Sequence, residues 1–333
     1  MIINLIPGLS ARACKTLKKR LSLLFAGARL ESFRDRILVT ALKTEKAADA
    51  AAAAQNLPGV AGAELAREEL YPLVTRTKGL SLPARPLDFV KNPFIFIAGP
   101  CAVESEKTYL ASALALKKAG AHALRAAIFK PRSSPYAFQG IGFRGLSIIA
   151  KAKKLTGLPL VTEATDTRQL EKLSGTADII QIGARNMRNY ELLKETGRSG
   201  MPALLKRAMR ATLREWLLSA EYLLKHGCKT LILCERGDSV FSGDGAGLDL
   251  KIMRRAKMVS GFPVLADPSH SSKNRALVEA FSLKAAAAGA HGLLIEAGVS
   301  PETALVDGAQ TIGLPAFSAL VKKISGLHRS QGT

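Results

Sequence analysis

The first 75 residues alternate between apolar and polar positions in a pattern that predicts a small α/β unit. Ile2–Ile6 is an apolar strand, and Leu17, Leu21 and Leu24 recur at the spacing of one helix face. Two more strands, joined by a hairpin at residues 33–35, an alanine-rich helix and a last strand follow. The order β-α-β-β-α-β predicts a ferredoxin-like domain.

The next segment, residues 76–92, contains Gly79, Pro83 and Pro86 and shows no clear hydrophobic period. Glycine and proline interrupt regular structure. This composition predicts a linker.

From residue 93 to the end of the chain, apolar runs alternate regularly with helical segments. Runs of this kind lie at 94–98, 121–129, 158–164, 178–182, 202–206, 230–234, 263–267 and 291–296. Strands that alternate with helices indicate a parallel sheet, either an open doubly wound sheet or a closed barrel. Eight regularly spaced units favour closure, so residues 93–333 are predicted to form a (βα)8 barrel.

Composition restricts the class of protein. The hydrophobic fraction of 47% and the charged fraction of 23% are ordinary for a globular chain. No apolar run approaches the ~20 residues that cross a bilayer, and the N-terminus lacks the features of a secretory signal. Four cysteines in 333 residues do not make a disulfide framework. We therefore expect a soluble cytoplasmic protein with no membrane partner.

The net charge of +21 at pH 7 indicates that the protein binds anionic partners. Nucleic acid, a membrane surface and small anionic substrates are the three classes that it allows. Aromatic residues make up only 5%, and no zinc knuckle, RNP motif or long basic run is present. These observations argue against a nucleic-acid-binding protein.

Polar residues follow nearly every predicted barrel strand. They are Gly99-Pro-Cys101, Lys130-Pro-Arg132-Ser133-Ser134, Glu163, Gly183-Ala-Arg185-Asn186, Lys206-Arg207, Cys234-Glu235-Arg236-Gly237, Asp267-Pro-Ser-His270 and Glu296. The carboxyl ends of barrel strands meet at one face, where barrel enzymes carry their active sites. The sequence therefore predicts an active site at this face.

Six of the side chains at or near these strand ends are cationic: Arg125, Lys130, Arg132, Arg185, Lys206 and Arg236. Arginine pairs with carboxylate or phosphate through two parallel hydrogen bonds, and lysine binds phosphate as a point charge. Because six converging cations repel one another, the site is expected to receive at least two anionic groups from its substrates.

A second set of side chains could bind a metal ion: Cys101, His270, Glu296 and Asp307. A thiolate, an imidazole and two carboxylates suit Mn, Fe, Co or Zn, whereas Mg rarely recruits a thiolate. Their wide separation in sequence makes this a weak signal alone. Cys101 could be a buried apolar filler, His270 could cap a helix, and Asp307 could be a turn or N-cap residue.

At these positions the sequence resembles the phospho-2-dehydro-3-deoxyheptonate aldolase family, also called 3-deoxy-D-arabino-heptulosonate 7-phosphate (DAHP) synthases. The resemblance is carried, in order, by Gly99-Pro-Cys-Ala-Val-Glu-Ser105, Arg125-Ala-Ala-Ile-Phe-Lys-Pro-Arg-Ser-Ser-Pro-Tyr-Ala-Phe-Gln-Gly140, Gly183-Ala-Arg-Asn-Met187, Leu204-Leu-Lys-Arg207, Cys234-Glu-Arg-Gly237, Asp267-Pro-Ser-His270 and Asp307-Gly-Ala-Gln310. The N-terminal unit is similar to the domain that one subgroup of the family uses for feedback regulation.

The resemblance implies a metal-dependent condensation of phosphoenolpyruvate with erythrose 4-phosphate, which releases phosphate at the start of the shikimate pathway. It implies that Arg125 and Lys130 bind the phosphoenolpyruvate carboxylate, and that Arg132 and Ser133 bind the phosphate of erythrose 4-phosphate. Three further cations would bind the phosphate of phosphoenolpyruvate: Arg185, Lys206 and Arg236.

The resemblance also implies that Cys101, His270, Glu296 and Asp307 bind the divalent metal. Glu163 would orient the attacking water, and Lys130, Glu163 and His270 are the implied catalytic residues. An aromatic amino acid is the implied effector, and a dimer or tetramer is the implied assembly.

The sequence departs from the family at residues 242–247 and at Ala297-Gly298, which we interpret as altered loops rather than lost activity. Two alternatives stay open. One is 3-deoxy-octulosonate 8-phosphate synthase, which uses arabinose 5-phosphate, although Lys130-Pro-Arg-Ser133 argues for the four-carbon sugar. The other is a catalytically inactive paralogue.

Overall fold

A computed structural model of the protein describes residues 1–6, 8–32, 36–40, 47–64, 70–76, 86–238 and 247–330. The chain divides into two compact units, Met1–Arg76 and Thr77–Thr333. The predicted hairpin connection at residues 33–35, most of the predicted linker and nearly all of the departing loop at 242–247 lie outside the described residues.

The first unit is a four-stranded antiparallel sheet with helices. Its elements are β1 (Ile2–Leu5), α1 (Ala11–Leu24), β2 (Arg29–Ser32), β3 (Arg36–Thr40), α2 (Ala47–Gln55), β4 (Val60–Glu64) and α3 (Pro72–Arg76). The strand order is β2-β3-β1-β4. Leu17 and Leu21 of α1 pack against Ile3, Ile37 and Val39 of the sheet, which confirms the predicted ferredoxin-like arrangement.

The second unit contains a closed parallel barrel. Its strands are β5 (Ile95–Gly99), β6 (Ala123–Arg125), β7 (Leu160–Ala164), β8 (Ile179–Ile182), β9 (Ala203–Lys206), β10 (Leu231–Glu235), β11 (Val264–Ala266) and β12 (Gly292–Gly298). The sheet closes because β12 pairs in parallel with both β11 and β5. A short strand, β13 (Ile312–Gly313), extends the end of β12. The predicted (βα)8 barrel is confirmed.

Helices surround the barrel. They are α4 (Glu106–Lys118), α5 (Gly145–Thr156), α6 (Leu170–Ser174), α7 (Tyr190–Arg198), α8 (Leu213–Lys225), α9 (Leu250–Ser260), α10 (Pro268–Ser272), α11 (Arg275–Ala287) and α12 (Leu314–Ser330). Polar caps fix several of their starts; Thr212 and Glu215, for example, form a reciprocal capping box at α8. Among the described residues, no helix is long and apolar enough to cross a membrane.

The interior of the barrel is filled by side chains from all eight strands, among them Ile97, Val161 and Leu294. Leu87, within the predicted linker, is buried in this same cluster, and Phe89 packs against it. The segment just before β5 therefore closes the barrel at the amino ends of the strands. The other end of the barrel, at the carboxyl ends of the strands, opens into a cavity.

The strand predicted at residues 121–129 is much shorter in the structure, where β6 covers only Ala123–Arg125. Ala126 still donates to Val161 O of β7 at 2.8 Å, but from Ala127 onwards the chain bonds to loops instead of continuing along the barrel. Ala127 O accepts from Val103 N–H at 2.8 Å, and Ile128 O accepts from Gly142 N–H at 2.9 Å. An apolar run alone does not distinguish a strand from a buried loop of this kind.

Two histidines occupy equivalent places before barrel strands, as the repeated Ala-Gly-Ala-His sequences suggest. His122 Nδ1 accepts from Phe96 N–H at 3.1 Å, and His291 Nδ1 accepts from Val264 N–H at 3.0 Å. Burial, followed by the nearby charge of Lys257, lowers the pKa of His291 from 6.5 to about 4. The His291 ring is therefore neutral in the folded protein at neutral pH, and its Nδ1 can accept the hydrogen bond from Val264.

We expect the free energy of unfolding to fall as the pH drops from about 6.5 towards 4. In this range His291 binds a proton in the unfolded chain but stays neutral in the folded protein, so protonation stabilises the unfolded state. Above pH 6.5 this contribution is fully present. Urea unfolding across this range should show a weaker pH dependence in His291→Gln than in the wild type. An identical pH dependence in His291→Gln and the wild type would contradict the assignment.

Candidate active site

A cavity of about 650 Å³ opens at the carboxyl ends of the barrel strands. Most of the residues predicted from the sequence line it: Lys130, Arg132, Ser133, Glu163, Arg185, Lys206, Arg236, His270 and Asp307. Residues to which the sequence assigned no role line it as well, among them Gln181, Met209, Lys273 and Gln310. Cys101, Arg125 and Glu296 are buried and do not line the cavity.

Four potential metal ligands lie together in this site. One donor atom from each of Cys101, His270, Glu296 and Asp307 falls within 4.8 Å of the others. Cys101 Sγ is 3.0 Å from Asp307 Oδ2, and His270 Nε2 is 3.3 Å from Glu296 Oε1. The fold thus gathers donors that are separated by about two hundred residues of sequence.

The local backbone structure positions each of these donors. Cys101 follows β5, and Glu296 lies in β12, the partner of β5 in the barrel. His270 belongs to α10, which starts with Pro268 after the N-cap Asp267. Asp307 adopts a left-handed backbone with φ of 55°, a conformation that is costly for a residue other than glycine and is commonly retained at functional sites.

The donor set fits a divalent transition metal. In the described part of the chain, five buried side-chain polar atoms have no aligned hydrogen-bond partner, and four belong to this site: Arg125 Nη1, Arg132 Nη1, His270 Nδ1 and Glu296 Oε1. Gln310 donates to Glu296 Oε2 at 2.7 Å and leaves Oε1 facing His270. Oε1 lies 3.0 Å from Arg125 Nη1 without an aligned hydrogen bond, so it can still accept a cation. A carboxylate oxygen beside a thiol and an imidazole is the environment that a borderline cation prefers.

The charges of the cluster depend on one another. Burial alone would raise the pKa of Glu296, but the charges of His270 and Arg125 outweigh it and lower that pKa to about 2. Burial, followed by the charge of Glu296, raises the pKa of the Cys101 thiol well above its ordinary range. Binding of a cation through this sulfur therefore requires the loss of a proton.

Three of the six predicted cations already face carboxylates. The pairs are Arg125 Nη1–Glu296 Oε1 at 3.0 Å, Lys130 Nζ–Glu163 Oε2 at 3.7 Å and Lys206 Nζ–Asp267 Oδ2 at 2.5 Å. Half of these cations are therefore paired before any substrate binds, which the sequence pattern did not predict. Acidic residues on the barrel strands and at their ends thus neutralise part of the positive charge of the site.

The other three cations, Arg132, Arg185 and Arg236, have no acidic partner among the residues that the structure describes. Within the described ranges, Arg185 Nη1 donates to the backbone oxygen of Pro131 at 3.0 Å, and Arg132 Nη1 is buried with no acceptor there. These guanidinium groups are available for anionic ligands.

Arg125 lies below the cavity floor, with 3% of its side chain exposed. Its Nη2 donates to the backbone oxygen of Cys101 at 3.5 Å. Burial alone would lower the pKa of Arg125, but Glu296 outweighs it and raises that pKa. The structure brings this residue to the metal ligands, and its contact with a substrate carboxylate stays a prediction.

Several residues to which the sequence assigned no role support the site. Gln181 donates to Glu163 Oε2 at 3.1 Å, and a side chain at Gly183 would collide with Glu163, since a Cβ there would lie 2.0 Å from Oε1. Glu235 is buried, accepts from Gly237 N–H at 2.8 Å and pairs with Arg207, so it fixes the loop that carries Arg236. The sequence signal that could have identified such residues is a polar side chain inside an otherwise apolar strand, as at Gln181 and Glu235.

Comparison with known proteins agrees with this geometry. The sequence model of the DAHP synthetase I family matches residues 90–329. The phospho-2-dehydro-3-deoxyheptonate aldolase of Thermotoga maritima is 42% identical over 240 residues, which are 72% of this chain and 71% of that protein. The 2-dehydro-3-deoxyphosphooctonate aldolase of Geobacter metallireducens is 32% identical over 259 residues, which are 71% of this chain and 93% of that protein.

Solved structures give the same result. The crystal structure of the Thermotoga maritima DAHP synthase superposes with a TM-score of 0.83 at 32% identity, over 100% of this chain and 97% of that one. A truncated form of the Thermotoga maritima enzyme gives a TM-score of 0.66 at 38% identity, over 72% of this chain and 88% of that one. The chain belongs to the DAHP synthetase I family.

Proposed function

We propose that the protein is a DAHP synthase, which condenses phosphoenolpyruvate with erythrose 4-phosphate and releases inorganic phosphate as the first step of the shikimate pathway. The observation that carries this proposal is a cavity lined by three guanidinium groups, which lack an acidic partner among the described residues, and by two members of a four-donor metal cluster, His270 and Asp307. The two substrates together bring two phosphates and one carboxylate to these cations.

Phosphoenolpyruvate is held through both of its anionic groups. Arg185, Lys206 and Arg236 bind its phosphate, and Arg125 and Lys130 bind its carboxylate. Burial alone would lower the pKa of Lys130, but Cys101 and Glu163 outweigh it and raise that pKa, so the ammonium form persists at neutral pH.

Erythrose 4-phosphate is held through its phosphate by Arg132 and the Ser133 hydroxyl. Cys101, His270, Glu296 and Asp307 hold a divalent Mn, Fe, Co or Zn ion. When bound, this ion supplies Lewis acidity at the aldehyde oxygen of the sugar.

The reaction forms a carbon–carbon bond at C3 and a carbon–oxygen bond at C2, and it breaks the bond between C2 and the phosphate oxygen. The electron pair of the phosphoenolpyruvate double bond attacks the aldehyde carbon from C3, and the aldehyde oxygen takes up a proton, for which we assign the Lys130 ammonium as the donor. Water oriented by Glu163 adds to C2 and gives up one proton, which restores the ammonium. Cleavage of the bond between C2 and the phosphate oxygen then releases phosphate, which takes the second proton of the water, and leaves the ketone of the product. Fixed orientation of two anionic substrates accounts for much of the rate enhancement.

The test is phosphate release from phosphoenolpyruvate with erythrose 4-phosphate or with arabinose 5-phosphate. We expect faster release with erythrose 4-phosphate, loss of release after chelation, and recovery when Mn²⁺ or Co²⁺ is added. Faster release with arabinose 5-phosphate would favour the octulosonate synthase. No release with either sugar would favour an inactive paralogue.

We also propose that the unit formed by residues 1–76 is a regulatory domain that binds an aromatic amino acid, and that the protein assembles as a dimer or tetramer. The compact core of this unit and the match of the entire chain to the Thermotoga maritima enzyme support the proposal. Tyrosine or phenylalanine added to the same assay should inhibit phosphate release. Light scattering should give a mass of two or four chains.

A further inference from the structure

We infer that Asp267 is a positioning residue whose single oxygen Oδ2 links the cation site to the phosphate-binding Lys206, so that occupancy of either site raises the affinity of the other. The inference rests on the proposed function, because it takes Lys206 as a ligand of the phosphoenolpyruvate phosphate. It adds a coupling between the two ligands of the cavity.

The two oxygens of Asp267 have separate tasks. This residue follows β11 and is completely buried. Oδ1 accepts from the backbone N–H of His270 at 2.9 Å and caps α10. Oδ2 accepts from Lys206 Nζ at 2.5 Å and lies 2.7 Å from His270 Nδ1. Both donors lie within hydrogen-bond distance of Oδ2, and because they share one acceptor oxygen, each weakens the bond that the oxygen accepts from the other.

The competition favours Lys206 in this structure. The bond from Nζ is aligned, whereas His270 Nδ1 is close to the oxygen but has no aligned acceptor. His270 Nε2 faces Glu296 and Asp307, so a cation uses that nitrogen. Nδ1 then carries the proton and depends on Asp267 as its acceptor, the usual second partner of a metal-bound histidine.

Each ligand therefore shifts this competition in favour of the other. A phosphate that accepts from Lys206 releases Oδ2 to His270, which fixes the ring for the cation. A cation at Nε2 makes Nδ1–H a stronger donor, draws Oδ2 from Lys206 and frees the ammonium for the phosphate. Linkage requires the two effects to be equal in size.

Charge attraction between a cation and phosphoenolpyruvate also couples the sites, so a matched control is needed. Glu163 provides it, because it pairs with Lys130 in the same cavity. Among the described residues, Glu163 makes no hydrogen bond or ion pair with Cys101, His270, Glu296 or Asp307. Glu163→Gln removes a lysine–carboxylate pair without touching a metal ligand.

The experiment measures binding without turnover. Co²⁺ is titrated by its thiolate absorption band, with and without saturating phosphoenolpyruvate, and phosphoenolpyruvate is titrated by calorimetry with and without Co²⁺. We expect phosphoenolpyruvate to tighten Co²⁺ binding in the wild type, and Asp267→Asn to reduce this factor about fivefold or more, within the range of measured couplings. Glu163→Gln should keep it within about twofold. The calorimetric titration should give the same factors.

Circular dichroism checks the fold of each variant. If Asp267→Asn does not fold, Lys206→Met carries the test, and at saturating phosphoenolpyruvate it should show the same loss of coupling. A folded Asp267→Asn with wild-type coupling would overturn the inference, as would an equal loss in Glu163→Gln. Absence of phosphoenolpyruvate binding to the wild type would instead contradict the proposed function, and the inference with it.

Discussion

Replacing Cys101 by alanine is expected to abolish Co²⁺ or Mn²⁺ binding and to lower the rate of phosphate release by about 10³-fold or more. The thiol is buried beside the other three donors, and its sulfur is 3.0 Å from Asp307. Without the thiolate, three donors remain, and the Lewis acidity at the aldehyde oxygen is lost. A loss of about 4 kcal/mol of transition-state stabilisation corresponds to this factor.

The measurement combines a Co²⁺ titration, read from the thiolate absorption band, with the phosphate-release assay. Cys14→Ala is the matched control, because Cys14 is a free thiol on α1 in the other unit. Alanine at position 101 leaves only a small gap beside Ala102 and Val306, so the fold should survive. Full activity of Cys101→Ala, or a wild type that resists every chelator, would remove the metal assignment.

The residue pattern alone gave the metal donors only as weak candidates, and the resemblance to the family implied the complete set. The structure shows why residues so far apart in sequence can meet. β12 pairs with β5 in a register that sets Glu296 opposite Gly99, so the residues that follow β5 meet the end of β12. Cys101 and Glu296 are therefore neighbours, although almost the whole barrel separates them in sequence.

The pairing of cations with acids could not be predicted in the same way. Lys206 ends β9, whereas Asp267 follows β11, with β10 between them. Their contact spans non-adjacent strands and depends on which side chains point across the cavity. Hydrophobic periodicity tells inside from outside but does not specify such partners.

Arg125 illustrates a second limit of the sequence pattern. The apolar run predicts a strand that continues to residue 129. This prediction does not show whether Arg125 lies inside the barrel or at the carboxyl end of its strand. In the structure β6 ends at Arg125, and the guanidinium group meets Glu296 below the cavity. The end of a strand depends on hydrogen bonds to distant loops, such as that between Val103 and Ala127.

Replacing Arg132 by methionine is expected to raise the KM for erythrose 4-phosphate about 10²-fold while the KM for phosphoenolpyruvate stays within about twofold. Arg132 lines the cavity, and its Nη1 is buried without an acceptor, so its fork is available for the sugar phosphate. Loss of two charge-assisted hydrogen bonds costs about 3 kcal/mol, which corresponds to this factor.

The two KM values of this variant distinguish a sugar-phosphate ligand from a general charge effect. Arg132→Lys keeps the charge but not the fork, and its KM for erythrose 4-phosphate should lie between those of the wild type and Arg132→Met. Arg168→Met is the matched control, because Arg168 is 87% exposed, pairs with Asp166 and does not line the cavity. A rise in the KM for phosphoenolpyruvate instead would assign Arg132 to the other substrate. Equal rises in both would mean that the loop preceding Ser133 supports the whole cavity rather than one phosphate.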